Sequence, residues 1–148
     1  SPERCYEVAS DFARYPEWAH DVKQATVLTA DADGRAGEVE FRAAAMGRST
    51  TYVLRYNYGA NPLRLSWRLM RGDLMTRLDG EYEFSPVAGD PDACEVTYYL
   101  VVDLAVPDEV GALRTAARAS VTTVTGPSLS TRTASLIPRI GTQKRRVD

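Results

Sequence analysis

The side chains that could do chemistry in this chain are mainly tyrosines, and four of them recur within alternating apolar and polar segments. Tyr52 and Tyr56 alternate with polar residues, and Tyr82 and Tyr98 do the same farther along the chain. Side chains two residues apart on a strand point to the same face, so these hydroxyls are expected on one apolar face. Such a face is typical either of a core with buried polar partners or of a cavity that receives a ligand.

Candidates for acid–base catalysis are few. His20 could act as a general base, but the only acidic side chain beside it is Asp21, so we expect an inert surface residue. Asp79 and Glu81 alternate with apolar residues and are expected to face outward. No catalytic residue is assigned from the sequence, and ligand binding is favoured over enzymatic activity.

The sequence predicts no metal and no cofactor. Cys5 and Cys94 have neither metal-binding nor redox spacing, so we expect two free cysteines that act as small packing residues. One histidine cannot build a histidine metal site. No glycine-rich phosphate loop and no nucleophile elbow occurs.

Length and composition favour one soluble domain. The chain has 148 residues, of which 44% are hydrophobic and 26% charged. No apolar run could cross a bilayer and no signal pattern opens the chain, so a cytoplasmic protein without an integral membrane segment is expected. Residues 1–106 carry a net charge of −6 and residues 107–148 one of +4, and an acidic domain disfavours binding to nucleic acid.

The elements that must position the tyrosines are mostly strands. Ser1 and Pro2 suit a helix start, and Pro16 divides the predicted N-terminal helical region before a short second helix. A strand near Val22 and five alternating segments follow, separated by glycine-containing turns, which predicts an antiparallel sheet. The clearest segment is 63–69, and Arg71 is the only charged residue that continues its apolar face.

The chain changes character after Pro107. Apolar residues recur at helical spacing from Val110 to Val124, which predicts a helix that Gly126 and Pro127 end. The residues beyond it are rich in Ser, Thr and Arg, and no element is assigned to them.

Two stretches resemble the polyketide cyclase/dehydrase-like proteins of the START-related (SRPBCC, helix-grip) superfamily. One runs from Ser-Pro-Glu at the start through Asp-Phe-Ala-Arg-Tyr-Pro-Glu-Trp at 11–18. The other is Leu-Asp-Gly-Glu-Tyr-Glu-Phe at 78–84, followed by Glu-Val-Thr-Tyr at 95–98. The resemblance covers residues 1–106.

The resemblance implies an α+β helix-grip fold, in which a curved antiparallel sheet with two short N-terminal helices grips a C-terminal helix over an apolar cavity. We assign this domain to residues 1–125, with the family's first strand missing from the chain, and treat 126–148 as an atypical C-terminal segment.

The implied function is binding or transport of a hydrophobic small molecule such as a lipid or polyketide. Two alternatives stay open: a polyketide aromatase/cyclase, and a protein–protein interaction module. A sheet face without its closing helix would favour a homo-oligomer. Trp18 lies at the predicted cavity edge, where it either packs the short helix on the sheet or forms a lid. The predicted ligand-binding residues are Trp18, Phe41, Tyr52, Leu54, Tyr56, Trp67, Leu69, Tyr82, Phe84, Tyr98 and Leu100.

Overall fold

The computed structural model describes residues 1–44 and 47–104 with side chains, and residues 45 and 114–124 as backbone. Two helices and a 3₁₀ turn precede the sheet: α1 Pro2–Ser10, the 3₁₀ turn Phe12–Arg14 and α2 Tyr15–Trp18. The strands are β1 Val22–Val27, β2 Glu38–Ala45, β3 Arg48–Ala60, β4 Leu63–Gly72, β5 Met75–Val87, β6 Asp90–Leu104 and β7 Arg114–Val124.

Helix α1 begins where the sequence predicts. The Ser1 hydroxyl accepts a hydrogen bond from the Arg4 backbone N–H at 3.4 Å, and Pro2 occupies the first helical position, where a missing N–H costs nothing. Helix α1 packs on β4, β5 and β6, whereas α2 packs on β1. The N-terminal segment therefore covers one face of the sheet, which we call the inner face.

The strands form one antiparallel sheet in sequence order, from β1 at one edge to β7 at the other. Three of the predicted turns contain a glycine with positive φ, at Gly34, Gly47 and Gly89. Only glycine adopts that conformation without strain, so these turns fix where the chain reverses. The alternating faces are confirmed: Phe84 and Leu100 are buried, while Arg68 and Glu95 are exposed.

A disulfide joins Cys5 of α1 to Cys94 of β6, which makes the prediction of two free cysteines wrong. Both residues are buried, and their Cα atoms are 7.1 Å apart, slightly beyond the usual range of about 4.4–6.8 Å. The pairing is tertiary, since 89 residues separate the cysteines and only the folded sheet brings β6 under α1. The bond therefore attaches the N-terminal helix covalently to the sheet.

A bulge in β4 corrects the predicted position of Arg71. Leu69 lies opposite Leu54 and Arg71 lies opposite Val53, so Met70 is an extra residue without a partner on β3. Val53 in turn pairs with Glu40 of β2, on the face opposite to the aromatic core. Arg71 therefore lies on the outer face, and the prediction that it continues the inner face is wrong.

The C-terminal prediction also differs from the structure. Residues Arg114–Val124 form a strand paired with β6, so a helix over this stretch is wrong. The stretch contains Thr115, Val121 and Val124, whose β-branched side chains suit a strand once an edge is available for pairing. Residues 110–113 of the predicted helix, and the segment 126–148, lie outside the described residues.

Candidate ligand-binding face

Aromatic side chains run across the inner face from β2 to β6. Phe41 stacks on Tyr52 with ring centroids 5.5 Å apart. Farther along, the Trp67 ring lies 4.9 Å from Tyr82, and Tyr82 lies 5.1 Å from Tyr98. Tilted and offset arrangements of this kind are favourable for aromatic pairs, so the strands hold these rings as one continuous layer.

The Trp67 indole lies flat against β5 because its partner there has no side chain. Gly80 is opposite Trp67 in the register. A Cβ at Gly80 would be 2.2 Å from Trp67 Cζ2, far inside van der Waals contact. Gly80 therefore sets the depth at which the indole ring lies on the sheet.

The predicted ligand-binding residues lie together in one apolar cluster. Trp18 and Leu69 are partly buried at its edge, and the other nine are buried within it: Phe41, Tyr52, Leu54, Tyr56, Trp67, Tyr82, Phe84, Tyr98 and Leu100. The structure thus confirms that these side chains share one face, and their role toward a ligand stays a prediction.

Trp18 sits where a lid was predicted, although its function there is untested. Its ring lies 4.7 Å from Tyr15, and Tyr15 lies 5.8 Å from Phe41 on β2. The Tyr15 hydroxyl donates a hydrogen bond to the Ala9 carbonyl, which fixes α2 against the end of α1. Tyr15 therefore anchors the short helix α2, and Trp18 at the end of that helix is partly exposed.

Three tyrosine hydroxyls of the inner face differ from the others in their hydrogen bonding. The Tyr58 hydroxyl donates to the Ala36 carbonyl at 2.8 Å. Within the part of the chain that the structure describes, the hydroxyls of Tyr52, Tyr56 and Tyr98 have no hydrogen-bond partner. These three side chains are 9%, 7% and 6% exposed, and none of the three hydroxyl oxygens is fully buried, so water can still reach them. They are the polar groups of this face that a ligand could satisfy.

Burial keeps the tyrosines of this face in their neutral form. Desolvation, with a smaller contribution from Asp21, raises the pKa of Tyr52 to about 12. Desolvation also raises the pKa of Tyr56 and Tyr98 well above the ordinary tyrosine value. The hydroxyls are therefore uncharged hydrogen-bonding groups throughout the physiological pH range.

Several residues that complete this face were not among the predicted binding residues. Phe12 of the 3₁₀ turn lies 4.2 Å from the Tyr56 ring, and Leu65, Met75 and Leu78 are buried in the same cluster. The sequence carries a signal for Leu65, which alternates with polar residues on β4. No local signal marks Met75, because it begins β5 next to a turn.

The acidic residues of β5 lie on the outer face, as predicted. Asp79 accepts a hydrogen bond from Arg77 Nε at 2.6 Å. Arg64 contacts Glu81 at 3.3 Å and Glu83 at 3.0 Å across the strands. Beside them lies a shallow pocket of about 200 Å³, lined by Glu81, Glu83, Thr97 and Tyr99. Their partners are surface arginines, so these carboxylates do not serve the aromatic face.

Neither a metal site nor a membrane-spanning helix is found in the described part of the chain. Among residues 1–45 and 47–104, no three His, Cys, Asp or Glu side chains are grouped to hold a metal ion. The described helices are too short and too polar to cross a bilayer. His20 is exposed on the turn before β1.

Comparison with known proteins identifies the family. A model of the family described as polyketide cyclase/dehydrase and lipid transport matches residues 1–129. The chain belongs to this family. No curated protein matches it.

Two solved structures share the fold. A START superfamily protein from Mycobacterium smegmatis is 25% identical, with a TM-score of 0.67 and 72% of each chain covered. A protein from Thermus thermophilus is 24% identical, with a TM-score of 0.61, covering 72% of this chain and 69% of the other. The N-terminal helices on an antiparallel sheet are thus a START-like arrangement.

Proposed function

We propose that the inner face binds an uncharged hydrophobic small molecule that carries oxygen atoms able to hydrogen-bond. The observation that carries this proposal is the set of hydroxyls of Tyr52, Tyr56 and Tyr98, which belong to buried side chains, lack hydrogen-bond partners among the described residues and stay within reach of solvent. They lie within one aromatic layer of the same sheet, so a single flat molecule could contact all three.

The energetics favour a ligand that satisfies these hydroxyls. Because these oxygens stay within reach of water, a ligand oxygen would replace water as their partner, and each such hydrogen bond contributes about 0.5–1.5 kcal/mol. Burial of the ligand's apolar surface against the rings would supply most of the binding free energy, at about 25 cal/mol per Å². The hydroxyls would then fix the ligand's orientation.

The absence of charge on the face favours an uncharged ligand. Among the described residues no charged side chain is buried, and Thr50 is the one buried polar residue. A carboxylate or phosphate placed there would lose its hydration without gaining an opposite charge, which is strongly unfavourable. A lipid or polyketide with neutral oxygens meets the requirement, and the family description includes lipid transport.

The family description also names polyketide cyclases, but the described inner face supplies no group that favours the cyclase alternative. Aldol closure needs a group that moves a proton or stabilises an enolate, and Arg71 was the inner-face candidate. Arg71 lies on the outer face after the β4 bulge. The tyrosines have raised pKa values, which makes them poor bases near neutral pH.

The test compares two neighbouring tyrosines that face opposite sides of β6. Tyr98→Phe removes an unpartnered inner hydroxyl, and Tyr99→Phe removes an outer one that is 47% exposed. Nile red, an uncharged probe with a carbonyl oxygen, should bind the protein saturably with a stoichiometry of one. Tyr98→Phe should weaken that binding roughly 2- to 10-fold, the usual worth of one hydrogen bond, and Tyr99→Phe should leave it unchanged.

Stability measurements separate a ligand-facing hydroxyl from a structural one. Because the Tyr98 hydroxyl lacks a described partner, Tyr98→Phe should leave the free energy of unfolding unchanged or raise it. A loss of stability with unchanged probe affinity would show that the hydroxyl serves the core. Absence of a saturable site for Nile red in a monomeric preparation would defeat the proposal.

A further inference from the structure

Three of the arginines without an ion pair lie on the outer face of the sheet. Residues 1–104 contain ten arginines, and six of them contact a carboxylate: Arg4, Arg14, Arg35, Arg55, Arg64 and Arg77. The other four form no ion pair with any residue that the structure describes, and all are exposed: Arg42, Arg48, Arg68 and Arg71. Arg48 pairs with Ala45 and has the register of the inner face, so we call the other three the arginine surface.

The arginine surface lies on β2 and β4, on either side of β3. Arg42 of β2 lies opposite Thr51, and Arg71 of β4 lies opposite Val53, both on the outer face. The bulge in β4 is what brings Arg71 to this side, so the local geometry concentrates cations here.

Uncompensated positive charge remains on this surface. Arg68 lies directly opposite Arg55, a like-charge pair that is unfavourable across strands. Glu38 contacts Arg55 at 2.7 Å and leaves Arg68 without a counter-charge. Glu40 is the other carboxylate on β2–β4, so these strands hold six arginines and two glutamates, and Arg64 has its carboxylate partners on β5. An anionic partner would relieve this repulsion.

An exposed apolar side chain lies among the cations. Met70, the bulged residue of β4, is 39% exposed and stands between Arg68 and Arg71 in the sequence. The guanidinium groups can contact lipid headgroups, while the arginine methylene chains and the apolar side chain between them lie at the level of the upper acyl chains. We propose that the arginine surface docks this protein onto bilayers that carry anionic headgroups.

The arrangement fits a bilayer better than an extended polyanion. The three arginines are spread over the outer face instead of converging on one point, which suits separate headgroups. Beyond β4, the outer face turns acidic, with Glu81, Glu83 and Glu95. A nucleic acid crossing the sheet would meet these carboxylates, whereas a bilayer can contact the β2–β4 side alone.

The test is flotation with lipid vesicles at low ionic strength. The wild-type protein should float with phosphatidylcholine vesicles that contain phosphatidylglycerol and stay behind with phosphatidylcholine alone. Arg68→Gln combined with Arg71→Gln should lower the partition coefficient roughly thirty-fold, the effect expected for two basic residues at an anionic surface. Added salt should weaken wild-type binding, because it screens exposed charges.

The matched control changes the net charge equally elsewhere. Arg14→Gln combined with Arg77→Gln removes two surface arginines that already have carboxylate partners, and it should bind vesicles like the wild type. Urea unfolding midpoints check that each variant folds. If the Arg68→Gln/Arg71→Gln variant does not fold, Arg42→Gln alone takes its place, and its partition coefficient should be roughly five-fold lower than that of the wild type. Equal losses in both double variants, or no wild-type binding to anionic vesicles, would overturn the proposal. The Arg68→Gln/Arg71→Gln variant should still bind Nile red. That result would show that vesicle binding and ligand binding use different faces of the protein.

Discussion

Reduction of the Cys5–Cys94 disulfide should destabilise the protein substantially. The bond closes a loop with a sequence separation of 89 residues. In the chain-entropy account, a cross-link of that span removes about 4.6 kcal/mol of conformational freedom from the unfolded chain at 25 °C. Domains of this kind usually have a free energy of unfolding of about 5–15 kcal/mol, so this bond accounts for about half of a typical value.

The assay is urea unfolding followed by tryptophan fluorescence, with and without a reductant. Reduction should lower the free energy of unfolding by roughly 2–5 kcal/mol and raise the slope with urea, because the unfolded chain becomes less compact. A Cys5→Ser/Cys94→Ser variant should match the reduced protein and be insensitive to reductant. Two thiols alkylated in the native, unreduced protein, or a change below about 1 kcal/mol, would refute the reasoning.

Three further predictions concern the inner face and are all measured by urea unfolding. Gly80→Ala should cost about 1–3 kcal/mol, because the new Cβ would overlap the Trp67 indole, and a neutral result would mean that the ring does not lie there. Trp67→Ala should cost about 3–5 kcal/mol and Trp18→Ala clearly less, since only Trp67 is buried; equal losses would count against a lid role for Trp18. The pKa of Tyr52 is about 12 in the folded protein and near 10 in the unfolded chain. The folded protein therefore holds the Tyr52 proton more tightly, and the free energy of unfolding should fall by ~3 kcal/mol as the pH rises from 10 through 12. Tyr52→Phe should reduce this fall.

The sequence predicts the inner face well because period-two patterning is a local property. Phe84 and Tyr98 lie where the alternation places them, and Gly47 and Gly89 reverse the chain at the predicted turns. Arg71 shows the limit of this reasoning. The bulge residue before it switches Arg71 to the opposite face of the sheet, and no residue type in the sequence predicts that bulge.

The remaining errors come from contacts between distant segments. Nothing in the spacing of Cys5 and Cys94 indicates a bond, because their meeting depends on how α1 crosses the sheet. In β7, pairing with β6 overrides a helical spacing of apolar residues. The predicted cytoplasmic location stays untested, and a buried disulfide is more usual in oxidising compartments.

The bulge at Met70 also makes β4 tolerant of a change in length. Deleting Met70 would leave Leu69 opposite Leu54 and Arg71 opposite Val53, so every other side chain of the strand would keep its face. Elsewhere in β4, loss of one residue would move every side chain beyond the deletion to the opposite face of the sheet. Homologous chains can therefore gain or lose a residue at this point without exposing the aromatic layer, which makes it a natural place for insertions and deletions to accumulate during divergence.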